Sequence, residues 1–341
     1  MQKQHLYLFP LLILIVLGVM VLFQPSVDVR EELGIAEDAP TNSIEAWFES
    51  DRTNQETDGV LHSIPLEDIQ GGGPQKDGIP SLDNPQFISV SAADDFLDDG
   101  GLGIAISYDG VDRFYPMQIM VWHEIVNDHI GDQAFLVTYC PLCGTGIVYE
   151  PIVNGEVSEF GTSGKLWNSN LVMYDRQTDS YWSQALGEAV VGEMTGTKLT
   201  LLPYQNMYWE FWKKQFPEGE VLSKDTGYSR DYDRDPYGDY YTSTGVWFEL
   251  DNEDSRYHQK EPMWGIEIEG VYKAYVLEEL LQSEGAFQDT VGDVAVNIQF
   301  DEASNTFSLE RLDTGESINA SYSFWFSWIS IHTNTEVFTP E

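Results

Sequence analysis

Residues Gly103 to Cys140 read GIAISYDGVDRFYPMQIMVWHEIVNDHIGDQAFLVTYC, and Gly265 to Asp301 repeat this outline as GIEIEGVYKAYVLEELLQSEGAFQDTVGDVAVNIQFD. Self-similarity at this distance along a chain is typical of an internal duplication. Each copy has a two-residue turn that favours a hairpin, at residues 109–110 or 269–270. A helix is expected after Tyr115 or Tyr275, and a strand after the following Gly-Asp turn. The repeated unit is therefore predicted to be a β-β-α-β module.

The likeness between the copies returns at their ends. MYWEFWKKQFPEGEVL, from Met207, matches FWFSWISIHTNTEVF, from Phe324, as an aromatic helix followed by a turn and a short strand. We therefore predict repeat 1 at residues 102–222, a connection at 223–263 and repeat 2 at 264–338. The predicted fold is α+β and dominated by strands.

An apolar run near the amino terminus predicts a membrane anchor. Leu6 to Phe23 contain no charged residue, and a helix of this length spans about 27 Å, close to a bilayer core of about 30 Å. Lys3 before the run and acidic residues after it orient the remainder outward. We expect a transmembrane helix at residues 1–25 with the domain outside the cytoplasm, or a secreted protein if the anchor is cleaved.

The segment between the anchor and the folded domain is polar and acidic. It ends in the glycine-rich IQGGGPQKDGIP, so a flexible stalk is predicted at residues 26–76 and the domain at 77–341. Of the chain's residues, 42% are apolar and 13% aromatic, which is enough to build a core.

Charge excludes one class of partner. With 57 acidic and 17 basic residues, the formal net charge is −40, which repels the phosphate backbone of nucleic acids. The N-terminal helix makes the membrane the one expected partner.

The two cysteines occur only in the first copy. They belong to TYCPLCGTGIVYE, and the second copy has Asp301 and Ser304 in the places of Cys140 and Cys143. His123 is likewise absent from the second copy. Residues kept in both copies are expected to serve the scaffold, whereas residues of one copy are candidates for chemistry.

The residues around the cysteines favour a metal knuckle. A strand rather than a helix is expected after Cys143, unlike a thioredoxin-type CxxC. A tight turn presents two sulfurs to one ion, and Gly144 allows the backbone to curl. His123 is the expected third ligand of zinc, copper or iron. Reserve ligands are His129, Glu124 and Met173.

Two alternatives remain open for the cysteines. An oxidising compartment favours a local disulfide between Cys140 and Cys143, either as a structural staple or as an exchanging redox pair. His123 also has a plain interpretation as a buried histidine bonded to a backbone carbonyl.

The chain resembles the bacterial and archaeal family known as domain of unknown function 3179. The resemblance rests on TYCPLCG, on FGTSGKLWNSNLVMYDRQTDSYWSQALGEAVVG from Phe160 and on DTGYSRDY from Asp225, and it extends from about Asp77 to the end. It implies no activity, substrate or cofactor. The matched positions are Trp122, His123, Glu124, Asn127 and Asp128 in the predicted helix, Cys140 and Cys143, and Gly161, Ser163, Gly164, Asn168, Asp175, Arg176 and Trp182.

Three further patterns have a chemical and a structural interpretation. Arg176, beside a hairpin turn expected at residues 177–179, suits either a bound anion or an Arg-Asp pair, and we favour the pair. GTSG at residues 161–164 reads as a tight turn rather than a phosphate cradle. Asp231, Asp233 and Asp235 alternate as early calcium ligands do, but Pro236 and Thr242 replace the required glycine and glutamate, so calcium is not favoured.

The sequence therefore predicts a membrane-anchored extracytoplasmic protein with a transition-metal site at Cys140, Cys143 and His123. If the protein is an enzyme, Glu124 is the expected base and Arg176 orients an anionic substrate. The alternatives are a thiol-disulfide redox protein and a non-enzymatic binding module with a structural disulfide.

Overall fold

A computed structural model describes residues 54–340. The predicted anchor at residues 1–25 and the first part of the predicted stalk lie outside this range. Among the residues described, no helix has both the length and the apolar character needed to cross a bilayer. Strands dominate and helices are short, which confirms the α+β prediction.

Strands make up most of the regular structure between residues 54 and 340. The first nine are β1 (Gln55–Thr57), β2 (Val60–His62), β3 (Gln70–Gly71), β4 (Phe87–Ser89), β5 (Leu102–Tyr108), β6 (Val111–Pro116), β7 (Ile125–Ile130), β8 (Gln133–Cys140) and β9 (Thr145–Glu150). The next nine are β10 (Ile152–Val153), β11 (Glu156–Val157), β12 (Phe160–Trp167), β13 (Asn170–Asp175), β14 (Tyr181–Ser183), β15 (Glu188–Val191), β16 (Thr200–Leu201), β17 (Gln205–Tyr208) and β18 (Glu220–Leu222). The last eight are β19 (Pro262–Ile268), β20 (Val271–Val276), β21 (Ala286–Val291), β22 (Val294–Asp301), β23 (Thr306–Arg311), β24 (Ser317–Ile318), β25 (Ser321–Phe324) and β26 (Glu336–Val337).

The α-helices in the same range are one or two turns long. They are α1 (Val90–Ala93), α2 (Met117–Met120), α3 (Trp209–Gln215), α4 (Leu277–Leu280) and α5 (Trp325–Ile329). Single 3₁₀ turns occur at Leu66–Asp68 and Tyr240–Thr242.

Two groups of four strands have the same order and directions. One is β18-β6-β5-β17 and the other is β26-β20-β19-β25. In each group the outer pair, β18 with β6 or β26 with β20, is parallel, and the remaining pairs are antiparallel. Asp109-Gly110 and Glu269-Gly270 turn the central hairpins with positive φ at both positions, as a type I′ turn requires. The predicted hairpins are therefore confirmed.

A triad of a carboxylate, a cation and a tyrosine lies beside each group, buried at Asp128 and partly buried at Asp289. In the first, Asp128 accepts hydrogen bonds from the Tyr115 hydroxyl at 2.5 Å and from the Arg113 guanidinium at 2.7 Å. In the second, Asp289 lies 2.7 Å from the Lys273 ammonium and accepts from the Tyr275 hydroxyl at 2.9 Å. Pairing a buried carboxylate with a cation and a phenol offsets much of its desolvation.

The cysteine hairpin, β8-β9, belongs to the first half of the chain but joins the sheet that contains the second group. Strands β7, β8 and β9 continue through β25 into β19, β20 and β26. In return, the backbone N–H of Tyr208 in the first group donates to the carbonyl of Ser304 in the second, at 3.0 Å. Each half therefore contacts a hairpin turn of the other half.

Three further sheets complete the described structure, and the smallest is the two-stranded pair of β10 and β11. Strands β1, β2, β15, β14, β13, β12 and β3 form a seven-stranded antiparallel sheet, and β21 to β24 form a four-stranded one. Residues 54–76, predicted as stalk, contribute β1 to β3 and bury Ile64, Leu66 and Ile69. The prediction of a flexible stalk up to Lys76 is therefore wrong for this part, because its apolar residues cover one face of the seven-stranded sheet.

The helix predicted after Tyr115 is much shorter than expected. It ends at Met120, and Asn127 and Asp128 lie on β7 instead of on a helix. The β-branched pair Ile125 and Val126 favours a strand here, and both side chains are fully buried.

GTSG also has a different structure from the predicted turn. Residues 161–164 lie within β12, where the register shifts between Thr162 and Lys165. Gly164 has φ +75°, and a Cβ there would lie 2.2 Å from the Pro74 carbonyl oxygen. The motif is a β-bulge that lets the segment before Asp77 approach the strand.

Candidate functional site

The two cysteines lie at the tip of the β8-β9 hairpin. Cys140 pairs with Thr145, and the turn is closed by the backbone N–H of Cys143, which donates to the Cys140 carbonyl at 3.1 Å. Gly144 has φ +62°, in the left-handed region that glycine tolerates. The predicted strand, turn and strand around CPLCG are confirmed.

The two sulfur atoms are in direct contact. The Cys140 thiol donates to Cys143 Sγ at 3.1 Å, and the Cys143 thiol donates to the Ser169 carbonyl at 3.2 Å. Both cysteines are free thiols, with 2% of Cys140 and none of Cys143 exposed. Burial and the neighbouring Cys143 raise the pKa of the Cys140 thiol well above its usual range. In this structure the two cysteines are not joined by a disulfide.

The turn of a second hairpin, β12-β13, lies against the two thiols. Asn168 and Ser169 turn the β12-β13 hairpin with φ +52° and +61°, a conformation that asparagine adopts more readily than most residues. This turn presents the Ser169 carbonyl to both thiols, and the Asn170 amide donates to Cys143 Sγ at 3.4 Å. Asn168 is one of the positions matched to the family, whereas contacts of Ser169 and Asn170 with the thiols were not predicted. The dipeptide Asn-Ser at a hairpin turn was the one signal in the sequence that could have indicated them.

Glu124 is the acidic group beside the thiols. It is buried with φ +60°, and its Oε1 accepts from the Tyr237 hydroxyl at 3.4 Å. Burial raises the pKa of Glu124 to about 8. A cavity of about 70 Å³ is lined by Glu124, Cys140 and Tyr237, and the Glu124 charge contributes to the raised pKa of Cys140. Glu124 and Cys140 therefore border the same cavity.

His123 does not face the cysteine pair. Its Nδ1 lies 2.8 Å from the Pro80 carbonyl and its Nε2 lies 2.7 Å from the Tyr232 hydroxyl. Because a carbonyl only accepts, Nδ1 carries the proton and Nε2 accepts from Tyr232. Burial lowers the pKa of His123 to about 4. The neutral histidine links Pro80 to Tyr232 in the connection, residues 223–263. This agrees with the alternative interpretation of His123 as a buried histidine bonded to a backbone carbonyl.

The structure does not assemble the predicted metal ligands. Residues 54–340 contain no group of three His, Cys, Asp or Glu side chains placed to share an ion. Of the reserve ligands, His129 is exposed on β7 and Met173 is buried on β13. Asp235 accepts from the Tyr237 backbone N–H, and Asp233 pairs with Lys224, so these aspartates serve their own loop.

Arg176 is held by carboxylates away from the thiols. Its Nη1 donates to Asp83 at 2.7 Å and to Glu159 at 2.6 Å, and its Nη2 donates to the Ser81 hydroxyl at 2.8 Å. These carboxylates raise the pKa of Arg176 against the effect of burial. The arginine fastens residues 81–83 to the β13-β14 hairpin. It does pair with an aspartate, but that aspartate is Asp83, and the pair does not close the hairpin as had been expected.

The connection between the halves covers the cysteine turn. The Tyr240 hydroxyl donates to the Leu142 carbonyl at 2.9 Å. Lys260 is only 4% exposed, and its ammonium donates to the carbonyls of Tyr240, Ser243 and Gly245 at 2.6 to 2.9 Å. The sequence showed this connection as rich in tyrosine, but nothing in its spacing indicated that Tyr237, Tyr240 and Lys260 form a cover.

Comparison with known proteins gives one match. A family model described as "Protein of unknown function (DUF3179)" matches residues 76–335, so the chain belongs to that family. No curated protein and no solved structure matches the chain.

Proposed function

We propose that this member of the DUF3179 family is a thiol-disulfide redox protein in which Cys140 and Cys143 alternate between a dithiol and a disulfide. The contact of 3.1 Å between their sulfur atoms carries the proposal. A disulfide needs the sulfurs about 2.05 Å apart, so closing the bond takes a shift of about 1 Å within the turn.

The chemistry balances with one partner disulfide. Cys140 loses its proton and attacks one sulfur of the partner, whose other sulfur leaves as a thiolate. Cys143 loses its proton and attacks Cys140, which closes the Cys140-Cys143 bond and releases the second partner thiolate. Two protons leave the pair and two protonate the partner, so the partner is reduced by two electrons.

Glu124 supports this chemistry as the proton acceptor of Cys140. A carboxyl group with a pKa of about 8 is partly ionised near neutral pH, and a base is most effective when its pKa lies close to the working pH. Cys140 is the proposed attacking thiol because it lines the cavity that Glu124 also lines. Asn170 stabilises negative charge on Cys143 through its N–H donor.

The alternative functions receive less support from the geometry. Transition-metal binding by Cys140, Cys143 and His123 requires the imidazole to leave both Pro80 and Tyr232. An anion-orienting role for Arg176 requires it to leave two carboxylates. A binding module with a structural disulfide has no need of a buried carboxyl beside the sulfurs.

We infer that the domain works outside the cytoplasm on a membrane anchor at residues 1–25, where a disulfide persists. The inference rests on the apolar run and on the acidic residues after it. We also infer that the two halves arose by duplication, since the strand order and the Arg113-Tyr115-Asp128 triad have counterparts in the second half. Only the first half kept a thiol pair.

The test is to trap the thiols of the full chain in its own membranes. Membranes are treated with diamide as the oxidant or with dithiothreitol as the reductant, quenched in acid and labelled with a thiol-reactive mass tag. The proposal expects no label after the oxidant and two labels after the reductant, with full interconversion. A pair that stays labelled after the oxidant contradicts it, and so does one bound metal ion per chain that is lost in Cys140→Ser.

A further inference from the structure

A second cavity lies on the other side of the cysteine turn. Its volume is about 390 Å³, and its wall includes Tyr139, which precedes Cys140, and Gly144, which follows Cys143. The size falls in the range of pockets for small ligands, about 300–1,000 Å³. Nothing in the proposed redox chemistry uses this space.

Aromatic rings form much of the cavity wall. Tyr139, Tyr232, Tyr241, Tyr322 and Phe324 all line it. The rings of Tyr241 and Phe324 meet edge to face with their centroids 6.4 Å apart, and Gly144 lies against Phe324 so closely that a Cβ would come within 2.9 Å of the ring. The wall is thus made of packed rings, whose faces attract cations.

Carboxylates supply the charge of the cavity. Asp98, Asp233 and Asp235 line it, together with one basic residue, Arg234. Lys224 lies 3.4 Å from Asp233 and offsets part of its charge, so Asp98 and Asp235 supply most of the negative charge. All three aspartates are exposed in the described structure. Burial, and after it the negative charge of Asp235, raise the pKa of Tyr241.

We propose that this cavity binds a small organic cation, an amine or a quaternary ammonium group, with the cation against the Tyr241 and Phe324 rings and near the carboxylate of Asp235. Aromatic faces and carboxylates together favour such ions over anions and over neutral molecules of the same shape. The strongly negative chain also raises the local concentration of cations.

The internal counterpart of this cavity has a different lining. A larger cavity of about 810 Å³ lies against the second half's hairpin turn and includes Ser304, Thr306, Gln205 and Asn206. Its lining holds one acidic residue, Asp301, and one basic residue, Lys214. The aspartates 233 and 235 and Tyr241 come from the connection, which covers the cysteine side. We therefore assign cation binding only to the cavity beside the cysteine turn.

The test is calorimetric titration of the full chain in detergent with choline and with 3,3-dimethyl-1-butanol, its uncharged analogue of the same shape. Choline is expected to bind saturably and the alcohol at least tenfold more weakly. Raising the salt concentration weakens choline binding by screening. Equal binding of the two molecules overturns the proposal, and so does the lack of saturable binding of choline, benzyltrimethylammonium and arginine amide.

Substitutions of residues in the cavity wall test whether the cation binds in this cavity. Asp235→Asn and Tyr241→Leu are each expected to weaken choline binding at least tenfold, while Tyr241→Phe keeps the ring and retains it. Asp132→Asn removes the same charge from the exposed turn at the far end of β8 and leaves binding unchanged. Cys140→Ser also leaves it unchanged, so failure of the redox function and failure of this site are distinguishable. Unchanged binding in both Asp235→Asn and Tyr241→Leu overturns the assignment.

Discussion

The backbone N–H of Phe324 donates a hydrogen bond of 2.8 Å to the carbonyl of Cys143. A residue at the end of β25 in the second half thus fixes the turn that carries the thiols of the first half. The ring of the same phenylalanine closes over Gly144. The thiol pair therefore depends on packing between the two halves.

Gly144→Ala tests this contact. An alanine meets both the left-handed φ of +62° and the Phe324 ring at 2.9 Å, so we expect a loss of about 2–4 kcal/mol in the free energy of unfolding. Chemical denaturation measures it. Gly110→Ala is the matched control, since Gly110 has φ +78° but nothing within 4 Å, and we expect about 1 kcal/mol there. Equal losses in the two variants contradict a role for the ring contact.

Glu124→Gln tests the buried carboxyl. Folding raises its pKa from 4.5 to about 8, so between these pH values the folded state holds a proton that the unfolded state releases. Stability therefore falls as pH rises from 4.5 to 8, by at most about 1.4 kcal/mol per pH unit, and levels off above 8. Asp68, with a pKa raised to about 7 by burial and by Asp251, acts in the same direction.

The measurement is the difference between the wild type and Glu124→Gln in urea unfolding from pH 4 to 9. We expect the variant to lose part of the downward slope and to gain relative stability above pH 7. The same variant is expected to slow oxidation of the dithiol by a small disulfide at least tenfold at pH 7, because Cys140 loses its proton acceptor. Parallel stability profiles for the two proteins are incompatible with a buried, titrating Glu124.

His123 gives a pH dependence of opposite sign. Folding lowers its pKa from 6.5 to about 4, so between these values the unfolded state takes up a proton that the folded state does not. Stability is present above pH 6.5 and is lost as pH falls towards 4. His123→Gln is expected to flatten this part of the profile, as measured by urea unfolding. Tyr232→Phe keeps the histidine and is expected to cost about 1 kcal/mol at pH 7 through the lost hydrogen bond.

Lys260→Met tests the cover over the thiols. The methionine fills a similar space but leaves the carbonyls of Tyr240, Ser243 and Gly245 without the ammonium. We expect the segment around Tyr240 to open more often, and the reaction of Cys140 with a thiol reagent to become at least tenfold faster in native conditions. Lys198→Met, at an exposed lysine 3.7 Å from Glu188, is the control and leaves the rate unchanged. A faster reaction in both variants would point to general loss of stability instead.

Much of the scaffold was predictable from the sequence because local signals agree with it. The turns at residues 109–110 and 269–270 and the strands on both sides of CPLCG follow from turn chemistry and β-branched residues. The stretch from Met120 to Asp128 was misread because tertiary burial of Ile125 and Val126 outweighs the helical pattern around them. The strands within residues 54–76 were not predicted, because β3 and β2 pair with β12 and β15, which lie far away in the sequence.

The site itself was predicted only in part. The presence of the cysteines in only one half directed attention to the turn used in the proposed function, and Glu124 borders the same cavity as Cys140. The position of His123 depends on the path of residues 80 and 232, which no local pattern encodes. The same is true of Lys260, whose partners lie 15 to 20 residues away in an irregular segment.

The most direct measurement is the reduction potential of the Cys140-Cys143 pair in the full chain, by equilibration in glutathione redox buffers and counting of free thiols. A redox-active pair has a potential above about −270 mV, in the range of thiol-disulfide oxidoreductases, with Glu124→Gln shifting its dependence on pH. A potential below about −300 mV, unchanged in Glu124→Gln, would identify a structural disulfide and contradict the proposed function.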